Sequence, residues 1–394
     1  MSLLSKKNTM RPYCSYRQLR SLYIPRSMAT THQKRQLSTP TTTGAAEAEV
    51  QAAHQYCLNL LAKYDRPSYT LSTFIPRQTQ PAYIALRALN STLSLIPDTT
   101  SSYTIGLMRL QFWRDAISKT LAGSPPKEPI AILLASAIED LAARSGGKAK
   151  LSKNWLNRMI NAREQTLTND PYPNIEALEN YAESTYSTLL YLTLQALPMA
   201  SVTADHVASH IGKAAGIAAV LRGLPIVAFP QQVKQQVQDT GAGAAAGAGQ
   251  AGARQGAVML PLDVMAQAGV KEEEVFRRGA EAEGLRDAVF TVATRASDHL
   301  ITVQQMLSNL RAGQDVGHAF EHQGEEDHQY AVGEQESPLD EANRAFGVFM
   351  PAVATRLWLD KLESVDFDIF RPELLTSDWK LPWKAYMAFR RKSF

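Results

Sequence analysis

Apolar residues recur at helical spacing along most of the chain, in blocks separated by short Pro-, Gly- or Ser-containing breaks. Tyr56, Leu60 and Leu61 set the spacing of a first helix over 45–64, ended by Arg66 and Pro67. A second enters near Pro81, and a third runs from Thr104 to a stop at Gly123, with Leu107, Leu110, Trp113 and Ile117 on one face. Helices follow over 130–144, from an N-capping Ser152 with Trp155, Met159 and Ile160 inward, and over 175–196, where the pattern turns from amphipathic to wholly apolar. The stretch His206–Phe229, HVASHIGKAAGIAAVLRGLPIVAF, is apolar around most of its circumference at Ile211, Ala214, Ala215, Ala218, Val220, Leu221 and Leu224. That makes it the expected central core helix, ended by Pro225. A turn-helix element at PLDVMAQAGV, a charged loop and then one long helix from Val275 to Leu307, another over 342–362 and a C-terminal helix complete the chain. No block shows the alternation of a strand, so an all-α fold is expected.

Two stretches interrupt this pattern. Residues 230–255 are Gln-rich and then Gly/Ala-rich, without the apolar periodicity of a core element or the GxxxxGK[ST] of a phosphate loop, and read as a flexible insertion. Residues 313–341 are acidic and polar and read as a solvated loop, with His318, His322 and His328 in it. A chain of 394 residues, 45% of them hydrophobic, can bury one large core or two smaller ones, and a single domain over 48–394 is the expectation.

The net charge of +3 is unevenly distributed. Residues 1–46 hold no Asp or Glu but carry Lys6, Lys7, Arg11, Arg17, Arg20, Arg26, Lys34 and Arg35 among many Ser and Thr. Basic, Ser-rich and acid-free composition is that of a mitochondrial transit peptide, and RQLS at Arg35–Ser38 suggests cleavage after Leu37, with 38–47 as a linker. Without the eight basic residues, 33 of the 41 remain against 38 acidic ones, a charge of −5 that excludes an obvious nucleic-acid binder. Cys14 leaves with the presequence and Cys57 has no partner for a disulfide or Cys-based zinc site. No uninterrupted apolar run reaches the about 18 residues of a spanning helix. The C-terminal helix sets Trp383, Tyr386, Met387 and Phe389 beside Lys384, Arg390, Arg391 and Lys392, fit either to rest on an anionic membrane or to pack on the body.

The central helix, followed by GAVMLPLDVMAQAGV, resembles the second signature of the squalene/phytoene synthase family, an N-I-L-R-D-x-x-x-D segment followed by Y-L-P. Arg222, Leu260 and Pro261 match, whereas the two aspartates fall on Gly223 and Val227. The first aspartate-rich motif of the family follows a Tyr-Ala-Phe-Cys-Arg-like stretch, matched by Tyr83–Arg87, and its aspartates fall on Asn90 and Ser94. The resemblance implies an isoprenoid-synthase-like helical bundle around a cavity. It also implies that both carboxylate clusters that hold magnesium against a diphosphate are vacant, and with them the prenyl-coupling chemistry. IGLMRLQFW, LENYAESTYSTLLYLTL, ADHVASHIGKAAGI and VDFDIF further resemble the mitochondrial complex I assembly branch of this superfamily. That branch implies a non-catalytic factor without cofactor, acting early in the biogenesis of a membrane-arm subunit at the matrix face of the inner membrane. The alternative is a prenyl transferase or lipid-diphosphate binder with altered metal ligands.

Arg87, Arg109, Lys213 and Arg222 are the polar groups expected to line or rim the groove, or else to be ordinary surface and helix-end charges. In the third helix, Phe112 and Trp113 read as core, with Arg109 and Arg114 at its edge. His206 and His210, at i and i+4, share a helical face as zinc ligands do. Val207 stands where HExxH has its glutamate, so the expectation is hydrogen-bonded histidines on a helix capped by Asp205.

Overall fold

The computed structural model describes residues 42–230, 256–318 and 337–394. The expected transit peptide and nearly all of the Gln/Gly/Ala-rich insertion lie outside the described residues. Within them the secondary structure is helical, without strands: α1 (Thr42–Tyr64), α2 (Arg66–Leu71), α3 (Gln80–Ser94), α4 (Ile96–Thr99), α5 (Tyr103–Leu121), α6 (Pro129–Ser145), α7 (Lys153–Gln165), α8 (Ile175–Ala182), α9 (Thr188–Ala196) and α10 (Val202–Ala228), then α11 (Leu262–Ala268), α12 (Glu272–Arg278), α13 (Leu285–Arg311), α14 (Pro338–Ala345), α15 (Pro351–Ser364) and α16 (Leu381–Arg391).

Short polar side chains start many of these helices by accepting a free backbone N–H. Ser102 caps α5, Glu128 α6, Ser152 α7, Asn174 α8 and Ser201 α10, at 2.8–3.3 Å. Ser201, and not Asp205, therefore opens the central helix. Pro225 does not end it. The helix runs through Pro225 to Ala228 because Leu224 and Ala228 are buried, and Phe229 N–H closes the last turn on the Pro225 carbonyl at 3.1 Å. At 27 residues, α10 has the length and composition to cross a membrane, contrary to the sequence expectation. Here it is the core of the bundle, packed on α8, α9, α13, α14 and α15.

Three other boundaries differ from the pattern. The long helix over 175–196 is α8 and α9 joined by a π-helical turn, Glu183–Ser187. The long helix expected from Val275 breaks at Gly279 and Gly284, which adopt positive φ of 55° and 72°, so α12 and α13 are separate helices. The helix over 342–362 splits into α14 and α15 at the turns before Pro351, whose ring starts the second one. Helix also begins at Thr42, inside the expected linker, and at Pro338, inside the expected acidic loop.

At the π turn two glycines let α10 approach its neighbour closely. A Cβ on Gly212 would meet the Ser187 backbone at 2.3 Å, and one on Gly216 would meet Ala182 at 2.5 Å. Gly212→Ala is therefore expected to lower stability by about 1–3 kcal/mol or more. Gly223, with nothing within 4 Å of its own Cβ position, is the matched control on the same helix. Gly223→Ala should raise stability by up to about 1 kcal/mol, read as opposite shifts in chemical-denaturation midpoint.

Candidate functional site

A cavity of ≈ 330 Å³ lies beside the C-terminal half of α10. Ser94 of α3, Arg163 of α7, Tyr172, Tyr181 and Tyr186, and Arg222, Gly223 and Val227 of α10 line it. A second space of ≈ 140 Å³ shares Ser94, Tyr186 and Arg222 and adds Arg87, Asn90 and Ser91. The fold thus brings Asn90, Ser94, Gly223 and Val227, from segments more than a hundred residues apart, around one connected region between α3 and α10.

Cations and phenols dominate its chemistry. The half-buried Arg163 guanidinium donates to the Asn90 carbonyl oxygen at 3.0 Å and to the Tyr181 hydroxyl, stacking over that ring with 5.4 Å to its centroid. Burial opposes its charge, and the phenol oxygens of Tyr181, Tyr186 and Tyr172 outweigh this and push its pKa up. Burial likewise raises the pKa of Tyr172 and Tyr181, so both stay protonated donors at physiological pH. Arg222 lies over the Trp358 ring at 5.1 Å, and Arg87, buried, lies over Tyr83 with its Nε making no hydrogen bond. Asp98 is the carboxylate among the lining residues of the larger cavity and Asp65 of the smaller, where Asp65 caps α2. The Ser94 hydroxyl donates within its own helix to the Ser91 carbonyl at 2.8 Å. Such a lining suits an anion, whereas magnesium asks for several free anionic oxygens.

Of the four cations expected at the groove, Arg87 and Arg222 line these spaces. Arg109 is exposed and donates to the Thr99 hydroxyl at 3.0 Å. Lys213 lies in the N-terminal half of α10, where its charge acts on Glu183 and His210. Trp113 is buried as expected, but Phe112 is 47% exposed. Arg163 escaped the reading from sequence although a signal was present: it follows Trp155 and Met159 at steps of four, on the buried stripe of α7. Cys57 is fully buried, and burial pushes its thiol up to about 12, as for an inert core residue.

The sequence profile of the squalene/phytoene synthase family matches residues 61–233 and 246–386, and the chain belongs to that family. A dehydrosqualene synthase shares the fold at a TM-score of 0.59 and 12% identity over 88% of this chain and 99% of its own. The squalene synthase of Alicyclobacillus acidocaldarius does so at 0.54 and 14%, over 81% and 96%. Within the family, the chain is similar to the protein named NADH dehydrogenase (ubiquinone) complex I, assembly factor 6 in Mus musculus, 34% identical over 345 residues, 88% of this chain and 84% of that one. The Homo sapiens protein of that name is 32% identical over 86% and 82%, and the Drosophila melanogaster homologue 28% over 84% and 83%.

The region is backed by a buried polar centre on the π turn. Glu183, 2% exposed, accepts from the Tyr191 hydroxyl at 2.6 Å and the Ser209 hydroxyl at 2.9 Å. Burial works to raise its pKa, but the Lys213 charge and these donors outweigh it and hold it below the usual carboxylate value. A lowered folded pKa stabilises the protein above the unfolded carboxylate pKa, and that contribution is lost as pH falls through the folded value. Glu183→Gln should therefore cost about 1–3 kcal/mol at pH 7 and flatten the decline of the urea midpoint below about pH 4.5.

Proposed function

We propose that this protein is a non-catalytic assembly factor for mitochondrial respiratory complex I. In this reading it acts early, on a membrane-arm subunit, at the matrix face of the inner membrane. The shared name of its relatives, matched along more than four-fifths of their length, supports a mitochondrial assembly role. The observation that carries the non-catalytic part is the lining of the cavity. Where the family resemblance sets two magnesium-binding carboxylate pairs, Asn90 is held by Arg163, Ser94 is bonded within its own helix, and Gly223 and Val227 offer no ligand atom. Three guanidinium groups beside this space oppose a divalent cation further. The same groove, freed from ionising a diphosphate, is available to hold an anionic or phenol-bonding group of a client or lipid.

The C-terminal region supplies a surface for the membrane. Phe389 turns inward on Phe74 and Phe346, with ring centroids 5.3 and 6.4 Å away. Trp379, Trp383 and Tyr386 face outward at 83%, 66% and 47% exposure. Exposed Lys380, Lys384, Arg390 and Arg391 surround them, the combination that seats a protein on an anionic bilayer.

Mitochondria lacking this protein are expected to lose complex I on blue-native gels while the other respiratory complexes remain. Rescue is expected from the wild type and also from Asn90→Ala with Ser94→Ala, with protein abundance followed by immunoblot. Normal complex I in the deletion would overturn the assembly reading, and magnesium-dependent turnover of a prenyl diphosphate by the pure protein would overturn the non-catalytic one. For the membrane, Trp379→Ser with Trp383→Ser should weaken co-sedimentation with anionic vesicles by at least about tenfold.

A further inference from the structure

His206 and His210 of α10 lie apart from the cavity residues and face two further histidines. His318, just beyond α13, brings its Nε2 to 3.0 Å from that of His206 and 3.1 Å from that of His210. The ligand atoms of these three rings all fall within 4.8 Å of one another. One imidazole nitrogen carries either one proton or one lone pair, so His318 Nε2 can complete only one of these two contacts as a hydrogen bond. Around a tetrahedral ion with bonds of about 2.0–2.1 Å, ligand nitrogens stand roughly 3.3 Å apart, close to the spacing found here.

The surroundings select the tautomer such a site requires. Glu179 accepts from His299 Nε2 at 2.9 Å and from Arg295. Bonds from His299 and Arg295 outweigh its burial and hold its carboxylate down to about 2. With its proton on Nε2, His299 presents a lone pair at Nδ1, which lies 2.9 Å from His210 Nδ1. His210 must then carry its proton on Nδ1 and aim a lone pair from Nε2 at His318 and His206.

From this convergence we propose that His206, His210 and His318 form a zinc site, with His299 and Glu179 as the outer partners that orient His210. Three neutral imidazoles suit a borderline transition ion and not magnesium. His206 is buried, His210 half-buried and His318 exposed, so the ion enters from solvent and keeps a water at its fourth position. The positive charges of Lys213 and Arg295 near the cluster are opposed by Glu179. Bound there, zinc ties the start of the central helix to the chain that follows α13. This site is separate from the cavity and stands whether or not the assembly reading holds.

The test uses the full chain without an affinity tag, stripped with a chelator, titrated with zinc alone by calorimetry and assayed for retained metal after desalting. One zinc per chain is expected, with a higher melting temperature when bound. His318→Ala, an exposed change that leaves the fold intact by circular dichroism, should weaken binding by at least about a hundredfold, beyond the cost of losing an outer partner. His206→Ala with His210→Ala should retain none, His54→Ala should match the wild type, and Glu179→Gln should weaken binding about 10–100-fold. Absence of retained zinc in the wild type, or equal affinity in His318→Ala, would overturn the site.

Discussion

The close approach of α10 to the π turn at Glu183–Ser187 is the constraint on which the rest of the structure depends. Two glycines make it possible, because any side chain at Gly212 would run into the Ser187 backbone and one at Gly216 into Ala182. At that distance polar groups on the two segments meet directly. The Ser187 hydroxyl donates to the Ser209 carbonyl at 2.9 Å, and the Ser209 hydroxyl to Glu183. A carboxylate with almost no exposure survives there because it is fully hydrogen-bonded and lies in the field of Lys213. The extra residue of the π turn is what turns Glu183 toward α10, a use typical of such bulges.

With its middle set this way, α10 presents different chemistry at its two ends. The C-terminal half faces the space bounded by α3 and α7, where arginines and tyrosines stand. The N-terminal half faces α13, where imidazoles gather. Retention of the fold at 12–14% identity to synthase structures reflects demands on packing alone. The small residues of α10 and the apolar faces of its neighbours satisfy those demands.

Much of the helical order was legible from periodicity, since α5, α6 and α7 begin and end close to where their caps and apolar stripes say. What periodicity missed were interruptions that leave the apolar count unchanged. The π turn adds one residue at Glu183–Ser187, before the run becomes apolar, and the breaks at Gly279, Gly284 and Pro351 lie between segments that each carry their own apolar stripe. Pro225 misled in the opposite sense, because tertiary burial of Leu224 and Ala228 outweighs one missing backbone bond. Arg109 and Lys213 show a similar limit: a helix position fixes a face, but not whether that face meets a cavity, solvent or another charge.

By itself the sequence determined the all-α class, the central position of the 206–229 stretch and the family. All of these follow from residue identity and spacing along one segment. Only the tertiary structure decided that Arg163 stands over Asn90, that Glu183 is buried against α10, and that His318 and His299 close on His206 and His210. Each of those is a meeting of side chains from segments distant in the chain. The physical reason is that helix periodicity encodes which side of a helix is buried, whereas the partner on that side is chosen by packing of the whole bundle.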